Sequence, residues 1–178
     1  IYYMEGYLAA SPTGLEAALE GLKLAKQHGV QTALTLSDVS MINFCRAGLE
    51  AMVGEGLDYL FANEEEAQVW CGSTELSTIL PQLQKLARTV CLTRGPQGSI
   101  VLQGGASIAV PAVPTKAVDT NGAGDMFAGA FLYGVTHGMA PAQAAALANR
   151  AAAAVVAQHG NRLTAERLQA LLREVQPV

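Results

Sequence analysis

The sequence carries little charge, few aromatic residues and no cluster of basic residues. Asp, Glu, Lys and Arg together make up 15% of the 178 residues, and the net charge is −4. A surface for nucleic acid or for an anionic membrane needs clustered Lys and Arg, so we predict neither of these partners. The hydrophobic fraction of 51% excludes a disordered chain and predicts a globular one with a sizeable core.

Cysteine is scarce, and its spacing gives no disulfide framework. Cys45, Cys71 and Cys91 are odd in number and lie far apart in apolar segments. This predicts buried thiols in a reducing compartment and hence a cytoplasmic location. Neither these residues nor the three histidines have metal-ligand spacing.

The longest apolar stretch, residues 141–158, consists mostly of Ala and is interrupted by an Arg, so we predict no membrane span.

Two common nucleotide-binding fingerprints are also absent. The chain contains no G-x-x-x-x-G-K-[ST] segment, which excludes a P-loop. Gly122 and Gly124 begin a G-x-G-x-x-G pattern, but Phe127 occupies its last position. A dinucleotide-binding oxidoreductase therefore has little support from the sequence.

The chain does contain an alternation of strand-like and helix-like segments. Strands are predicted at 1–4, 30–36, 57–63, 89–94, 99–103 and 106–110. Helices are predicted at 14–29, 41–54, 64–72, 75–87 with an interruption near Pro81, 122–137, 141–158 and 164–175. The alternation predicts one α/β domain over residues 1–178 with a mostly parallel sheet. Gly104-Gly105 predicts a β-hairpin near one edge of that sheet, and the small side chains of 141–158 predict close packing on a neighbour.

The segment VDTNGAGD places two glycines and a carboxylate where a helix should begin. A helix N-terminus carries unpaired N–H groups and glycines leave the backbone open, so Gly122, Ala123 and Gly124 are candidates for an anion site. Asp125 beside a bound phosphate is then a candidate general base, which accepts the proton of an attacking hydroxyl. The alternative is an ordinary helix start, in which Asp125 only complements the helix dipole.

The segment FANEEEA has two interpretations. In the first, Asn63 and Glu66 lie at the carboxyl end of a strand, where α/β sheets bind ligands, and Glu66 holds Mg²⁺ through water. In the second, Asn63 is a helix N-cap and Glu66 completes a capping box. Taken alone, the spacing favours the capping box.

The segment TRGPQGS also has two interpretations. The Thr93 hydroxyl, the Arg94 guanidinium and the amides around Gly95 and Gly98 form a set of groups that can bind a nucleotide phosphate. A tight turn with Pro at a favoured position explains the same residues without a ligand. Taken alone, the segment favours the turn.

Taken in order, the N-x-x-E, T-x-G-x-x-G and D-T-x-G-A-G-D segments resemble those of the ribokinase-like (PfkB) family of carbohydrate and nucleoside kinases. The resemblance covers nearly the whole chain and is most specific in DTNGAGD. It implies a three-layer, doubly wound α/β fold with a mostly parallel sheet. This chain resembles only the C-terminal part of such a protein, without the N-terminal lid and first strands. The segments YMEGYLAASP, LTLSD and DYLFANEEEA are most similar to the adenosine-kinase-like branch.

The resemblance implies a role for each of the candidate residues. Asp125 corresponds to the family's catalytic base, and Gly122, Ala123 and Gly124 correspond to its anion hole. The remaining candidates would bind the nucleotide or cations. Asn63 and Glu66 would organise Mg²⁺ and phosphate, and the nucleotide phosphates would be bound by Thr93, Gly95 and Gly98. Asn149 would line the adenine pocket, and Asp119 with the region around Gly160 would bind a monovalent cation such as K⁺.

The resemblance also implies an activity. It is the ATP- and Mg²⁺-dependent phosphorylation of a hydroxymethyl group on a small nucleoside or sugar, with an adenosine-kinase-like reaction as the first choice. A sugar kinase of the ribokinase or fructokinase type is the alternative. A nucleotide-binding module that is inactive on its own is a further hypothesis. Many family members dimerise through lid segments, so a homodimer is expected of a full-length protein.

Overall fold

The computed structural model describes residues 1–175 and contains one six-stranded sheet, in which the strands follow one another in chain order. The strands are β1 Tyr2–Glu5, β2 Thr32–Thr35, β3 Leu57–Asn63, β4 Ala87–Thr93, β5 Ser99–Gln103 and β6 Ala106–Val110. The α-helices are α1 Pro12–Gln27, α2 Val39–Val53, α3 Glu64–Cys71, α4 Leu76–Leu83, α5 Ala123–Thr136, α6 Pro141–Val156 and α7 Ala165–Val175. Short 3₁₀ helices span Gly6–Ala10 and Gly95–Gln97. The predicted α/β class with a mostly parallel sheet is confirmed.

Contacts along the chain divide it into two compact units. The first unit comprises Ile1–Leu92 and Leu102–Ser107, and the second comprises Thr93–Val101 and Ile108–Val178. The single domain predicted over residues 1–178 stays a prediction.

The first unit is built on three parallel strands, β1, β2 and β3. Met4 lies opposite Leu34, and Leu34 lies opposite Leu60. All three side chains are fully buried, as expected of parallel strands that are covered on both faces. Because the strands run in the same direction, their carboxyl ends at Glu5, Thr35 and Asn63 meet at one edge of the sheet.

Helices α1, α2 and α4 of the first unit differ from the sequence-based prediction by more than one residue at an end. Helix α2 begins at Val39, two residues early, because the Asp38 side chain caps it. Helix α1 begins at Pro12, two residues early, because the Ser11 hydroxyl accepts the N–H of Gly14 at 3.0 Å and proline fits the first turn.

Helix α4 runs through Pro81 without the predicted interruption. The carbonyl that Pro81 leaves without a helical donor belongs to Ser77. Both residues are exposed, so water can satisfy this carbonyl and the short helix tolerates the proline.

The predicted burial of the cysteines is right for only one of them. Cys91 in β4 is fully buried, whereas Cys45 and Cys71 are half-buried. Cys45 lies at a kink in α2, where the backbone leaves the helical conformation with φ −125° and ψ 22°. Burial raises the pKa of the Cys71 and Cys91 thiols, and the charge of Arg46 offsets part of the rise at Cys71.

The second unit depends on the close approach of α5 and α6. A Cβ atom added to Gly134 of α5 would lie 2.8 Å from the Cβ atom of Ala144 in α6. The small side chains of the Ala-rich segment therefore allow the close packing that the sequence predicts. Phe127 and Phe131 of α5 are buried, and their ring centroids lie 6.4 Å apart.

Among residues 1–175, no helix combines the length and the apolar character that crossing a membrane requires.

Substitution of two glycines in α5 tests this packing. Gly134→Ala is expected to lower the free energy of unfolding by about 1–2 kcal/mol, because the overpacking against α6 exceeds the gain in helix propensity. A Cβ atom on Gly129 of the same helix would meet nothing within 4 Å, so Gly129→Ala should raise the free energy of unfolding by up to about 1 kcal/mol. Urea denaturation of the two variants measures the contrast. Equal effects would contradict the close approach of α5 and α6.

Candidate functional site

The segment before α5 forms a turn that only glycine fits. Gly122 is the N-cap of α5 and has a φ of +77°. A Cβ atom on it would lie 2.6 Å from the Cβ atom of Asn161, and the helix begins one residue later than predicted, at Ala123. The glycine therefore satisfies both a left-handed backbone and a close approach.

The first turn of α5 has no side-chain cap. The N–H of Ala123 donates to the carbonyl of Thr120 at 3.3 Å. Gly124 is exposed, and a Cβ atom on it would meet nothing within 4 Å. The backbone at Gly124 and Asp125 is thus the open part of the predicted anion site, and a helix start with uncapped N–H groups attracts anions.

Asp125 is the third residue of α5, and its side chain is exposed. In residues 1–175, no hydrogen bond or ion pair to its carboxylate is present. An accessible carboxylate beside open main-chain amides can accept a proton from a hydroxyl of a ligand held at those amides. The predicted role of Asp125 as a general base stays a prediction.

Asp119 ties the glycine turn to the loop that follows α6. One of its carboxylate oxygens accepts the N–H of Asn121 at 3.0 Å, and the other accepts the N–H of Gly160 at 3.3 Å. The N–H groups of Val118 and Asp119 both donate to the carbonyl of Val156, at 2.7 and 3.2 Å. The amides of Asn121 and Gly160 hold the pKa of the Asp119 carboxyl below its usual value. Its predicted role in binding a monovalent cation stays a prediction.

The Thr93 segment folds as a tight turn at the end of β4. The N–H of Arg94 donates to the carbonyl of Gly98 at 2.8 Å, and the N–H of Gly98 donates to the carbonyl of Gly95 at 3.0 Å. The φ angles of Gly95 and Gly98 are +52° and +86°. The turn interpretation is confirmed, while the phosphate-binding role of the turn stays a prediction.

Asn149 of α6 is buried and faces the end of β6. Its amide nitrogen donates to the carbonyls of Val110 and Pro111, each at 3.1 Å. The structure therefore places Asn149 beside the segment that leaves the last strand. Its contact with an adenine ring stays a prediction.

In the first unit, Asn63 and Glu66 form the capping box that their spacing favours. The Asn63 side-chain oxygen accepts the N–H of Glu66 at 2.8 Å. The Glu66 carboxylate accepts the backbone N–H of Asn63 at 3.0 Å and its side-chain N–H at 2.6 Å. The pair lies where β3 passes into α3. A capping role does not exclude a second role, because a carboxylate has more lone pairs than these two bonds use.

Glu66 is a buried carboxyl group with a strongly raised pKa. Its side chain is 5% exposed. Burial raises the pKa to about 7, the N–H of Asn63 offsets part of the rise, and the charges of Asp38 and Glu65 add to it. A cation beside the carboxylate would reverse this preference for the neutral form, so the environment suits a Mg²⁺ ion held through water. Within residues 1–175, no three His, Cys, Asp or Glu side chains form a metal-binding group.

The raised pKa of Glu66 predicts a fall in stability as the pH rises. A carboxyl group that is harder to ionise in the folded state than in the unfolded state stabilises the fold fully only at low pH. That stabilisation disappears between the usual value of 4.5 and about 7. We expect the free energy of unfolding to fall by about 3 kcal/mol over this window. Urea denaturation without Mg²⁺, at several pH values, measures it.

Glu66→Gln is the control for this pH dependence. The variant cannot ionise, so its stability should vary less between about pH 5 and about pH 8 than that of the unsubstituted chain. The same slope in both proteins would contradict the assignment to Glu66.

Sequence analysis missed two residues at the carboxyl end of β2. Asp38 caps α2, because its carboxylate accepts the N–H of Ser40 at 2.7 Å. Hydrogen bonds from the side chain and the backbone of Ser40 lower the pKa of Asp38. Ser37 has a φ of +69°, and its hydroxyl accepts the N–H of Gly6 at 2.8 Å. The Ser-Asp pair after a strand is a recognisable capping signal for Asp38. No local signal marks Ser37, whose hydroxyl also donates to Glu5 at 3.2 Å.

Known proteins resemble this chain in sequence and in structure. Residues 1–167 match the family described as pfkB family carbohydrate kinase. The structure of adenosine kinase from Sinorhizobium meliloti superposes with a TM-score of 0.91 at 33% identity, covering 97% of this chain and 53% of that one. The uncharacterized sugar kinase YegV from Escherichia coli is 31% identical and covers 97% of this chain and 54% of its own length. Ribokinase from Lactococcus lactis is 32% identical and covers 69% of this chain and 34% of its own length.

The chain is shorter than these relatives. It spans 27% of the length of one curated adenosine kinase, from Saccharomyces cerevisiae, and 54% of the length of YegV. The chain thus spans about half of the length of these relatives or less.

Proposed function

Because this chain belongs to the pfkB family of carbohydrate kinases, we propose that the protein transfers a phosphoryl group from ATP to a hydroxymethyl oxygen of a nucleoside or sugar. Adenosine is the first candidate acceptor. The observation that carries this proposal is the uncapped start of α5, where a glycine turn is followed at once by the exposed carboxylate of Asp125. A helix start of this kind suits an anion, and the carboxylate suits a proton acceptor.

In the proposed reaction, Asp125 acts as the general base. Its carboxylate accepts the proton of the acceptor hydroxyl as that oxygen attacks the γ-phosphorus atom of ATP. The bond from this phosphorus to the bridging oxygen breaks, and ADP leaves with that oxygen. The Gly122–Ala123–Gly124 turn forms the anion site, and its open backbone, at Gly124 and Asp125, stabilises the negative charge on the transferred group. Asp119 contributes indirectly, because its bonds to Asn121 and Gly160 hold the turn in place.

The donor nucleotide is assigned to the Thr93–Gly98 turn. The Thr93 hydroxyl and the amides near Gly95 and Gly98 are the groups that would bind its phosphates. In the first unit, Asn63 and Glu66 are the residues that would hold Mg²⁺ through water, and the ion would supply neutralisation of phosphate charge. The Asp119 carboxylate uses two of its four acceptor positions, which leaves capacity for a monovalent cation such as K⁺.

The free thiols of the chain suit a reducing compartment, and we extend the proposal to a cytoplasmic location.

A sugar kinase is the second candidate. The similarity to the sugar kinase YegV and to ribokinase is comparable with that to the bacterial adenosine kinase. The same base and the same anion site would serve a sugar hydroxymethyl group. A nucleotide-binding module without turnover is the third possibility, since the chain spans only part of its relatives.

The experiment measures ADP formation from MgATP by the longest form of the protein that is expressed. Adenosine, ribose and fructose are tested separately as acceptors, and a reaction without acceptor is the control. Turnover that depends on adenosine supports the first candidate, and turnover that depends on ribose or fructose supports the second. MgATP binding with no acceptor-dependent turnover across the panel would contradict the proposed kinase activity and favour the binding module.

A further inference from the structure

The Asn149 side chain uses both of its N–H groups inside the protein. The residue is 8% exposed in the Ala-rich helix α6. Its amide nitrogen lies 3.1 Å from the carbonyl oxygen of Val110 and 3.1 Å from that of Pro111. Carbonyl oxygens only accept hydrogen bonds, so the donor end of the amide must face them. Neither N–H is available to a base.

The two carbonyls belong to a segment that lies directly against Gly98. A Cβ atom on Gly98 would lie 2.1 Å from the carbonyl oxygen of Val110 and 2.6 Å from the nitrogen of Ala112. The segment at 110–112 therefore occupies the space that a side chain at Gly98 would need. The turn and this segment are therefore in direct contact.

The turn itself is held by two short-range bonds, from Arg94 N–H to the Gly98 carbonyl and from Gly98 N–H to the Gly95 carbonyl. A continuous set of contacts thus runs from Asn149 through the end of β6 to the turn. All of these residues belong to the second unit.

The geometry points to Asn149 as a positioning residue that holds the Thr93–Gly98 turn in its phosphate-binding shape. The phosphate-binding part of this inference rests on the proposed function. Substituting a residue that contacts adenine would weaken the binding of nucleotides with that base alone. Substituting a residue that positions the turn would weaken the binding of every ligand that the turn binds through phosphates.

Two substitutions at Asn149 test the inference. Asn149→Ala removes both N–H donors and suits the Ala-rich helix. Asn149→Asp keeps the size of the side chain but replaces the donors with carboxylate oxygens, which cannot donate to the two carbonyls. Asn43→Asp on α2, an exposed position of the first unit, is the matched control. Circular dichroism establishes that each variant is folded before further measurement.

The first readout is hydrogen exchange at the Arg94 and Gly98 amides, which needs no ligand. In Asn149→Ala, exchange at both amides should accelerate about tenfold, the effect of losing about 1.4 kcal/mol of local stability. The control variant should leave both amides unchanged. Unchanged exchange at the turn in Asn149→Ala would overturn the inference, whether or not the protein binds a nucleotide.

The second readout is calorimetric binding of MgATP, MgGTP and magnesium tripolyphosphate. Asn149→Ala should weaken every ligand that the unsubstituted protein binds by the same factor, about tenfold. A loss confined to MgATP would overturn the inference in favour of a contact with adenine. Accelerated exchange in a protein that binds none of the three ligands would leave the positioning of the turn standing and refute the proposed function.

Discussion

Asp125→Asn is expected to lower acceptor-dependent turnover about 10²–10⁴-fold, the usual effect of removing a general base. The affinity for MgATP should not change, because Asn has the same shape and the exposed Asp125 carboxylate makes no hydrogen bond with residues 1–175. Steady-state kinetics with the preferred acceptor and calorimetry with MgATP measure the two quantities separately. The substitution removes the proton acceptor and keeps the open amides.

Glu166→Gln is the matched control for this loss of turnover. Glu166 is also an exposed carboxylate in the first turn of a helix, α7, of the second unit. Its substitution removes the same charge and should leave turnover unchanged. Full turnover in Asp125→Asn would remove Asp125 from the mechanism, and equal losses in both variants would indicate a general effect of charge.

Gly98→Ala is expected to lower the free energy of unfolding by about 4 kcal/mol. A backbone with φ +86° and ψ −134° disfavours any Cβ atom by about 1–3 kcal/mol. The Cβ atom would lie 2.1 Å from the carbonyl oxygen of Val110, which adds about 1–3 kcal/mol of overpacking. The obstacle is backbone, so no side chain can move aside. Urea denaturation measures the loss.

Gly95→Ala in the same turn is the control for Gly98→Ala. The φ of Gly95 is +52°, and a Cβ atom on it would meet nothing within 4 Å. Only the cost of a left-handed conformation applies, about 1–2 kcal/mol. Equal losses in the two variants would show that the contact with Val110 contributes nothing.

The features that the sequence predicts correctly are those set by neighbouring residues. The pair Gly104-Gly105 adopts φ angles of +58° and +81° between β5 and β6, as a two-residue hairpin turn requires. Asn63 and Glu66 form the capping box because both partners lie within one helical turn. The order of strands and helices follows in the same way from the periodicity of apolar residues.

The features that the sequence does not predict depend on contacts between distant residues. The bond from Asn149 to Val110 spans 39 residues, and the bond from Gly160 to Asp119 spans 41. No local pattern encodes either pairing. The continuation of α4 through Pro81 has a different reason, because water can satisfy the exposed carbonyl of Ser77 that the proline leaves without a helical donor.

Under the proposed function, the uncapped start of α5 would link ligand supply to resistance to unfolding. Helices α1, α2 and α3 each begin with a side-chain acceptor, from Ser11, Asp38 and Asn63. Helix α5 begins at Ala123, and its N-cap, Gly122, provides none. A bound anion would take the place of the missing acceptor. By mass action, each tenfold rise in ligand concentration above the Kd would then add about 1.4 kcal/mol to the stability of the folded state. The lifetime of the protein would follow the concentration of its own substrate.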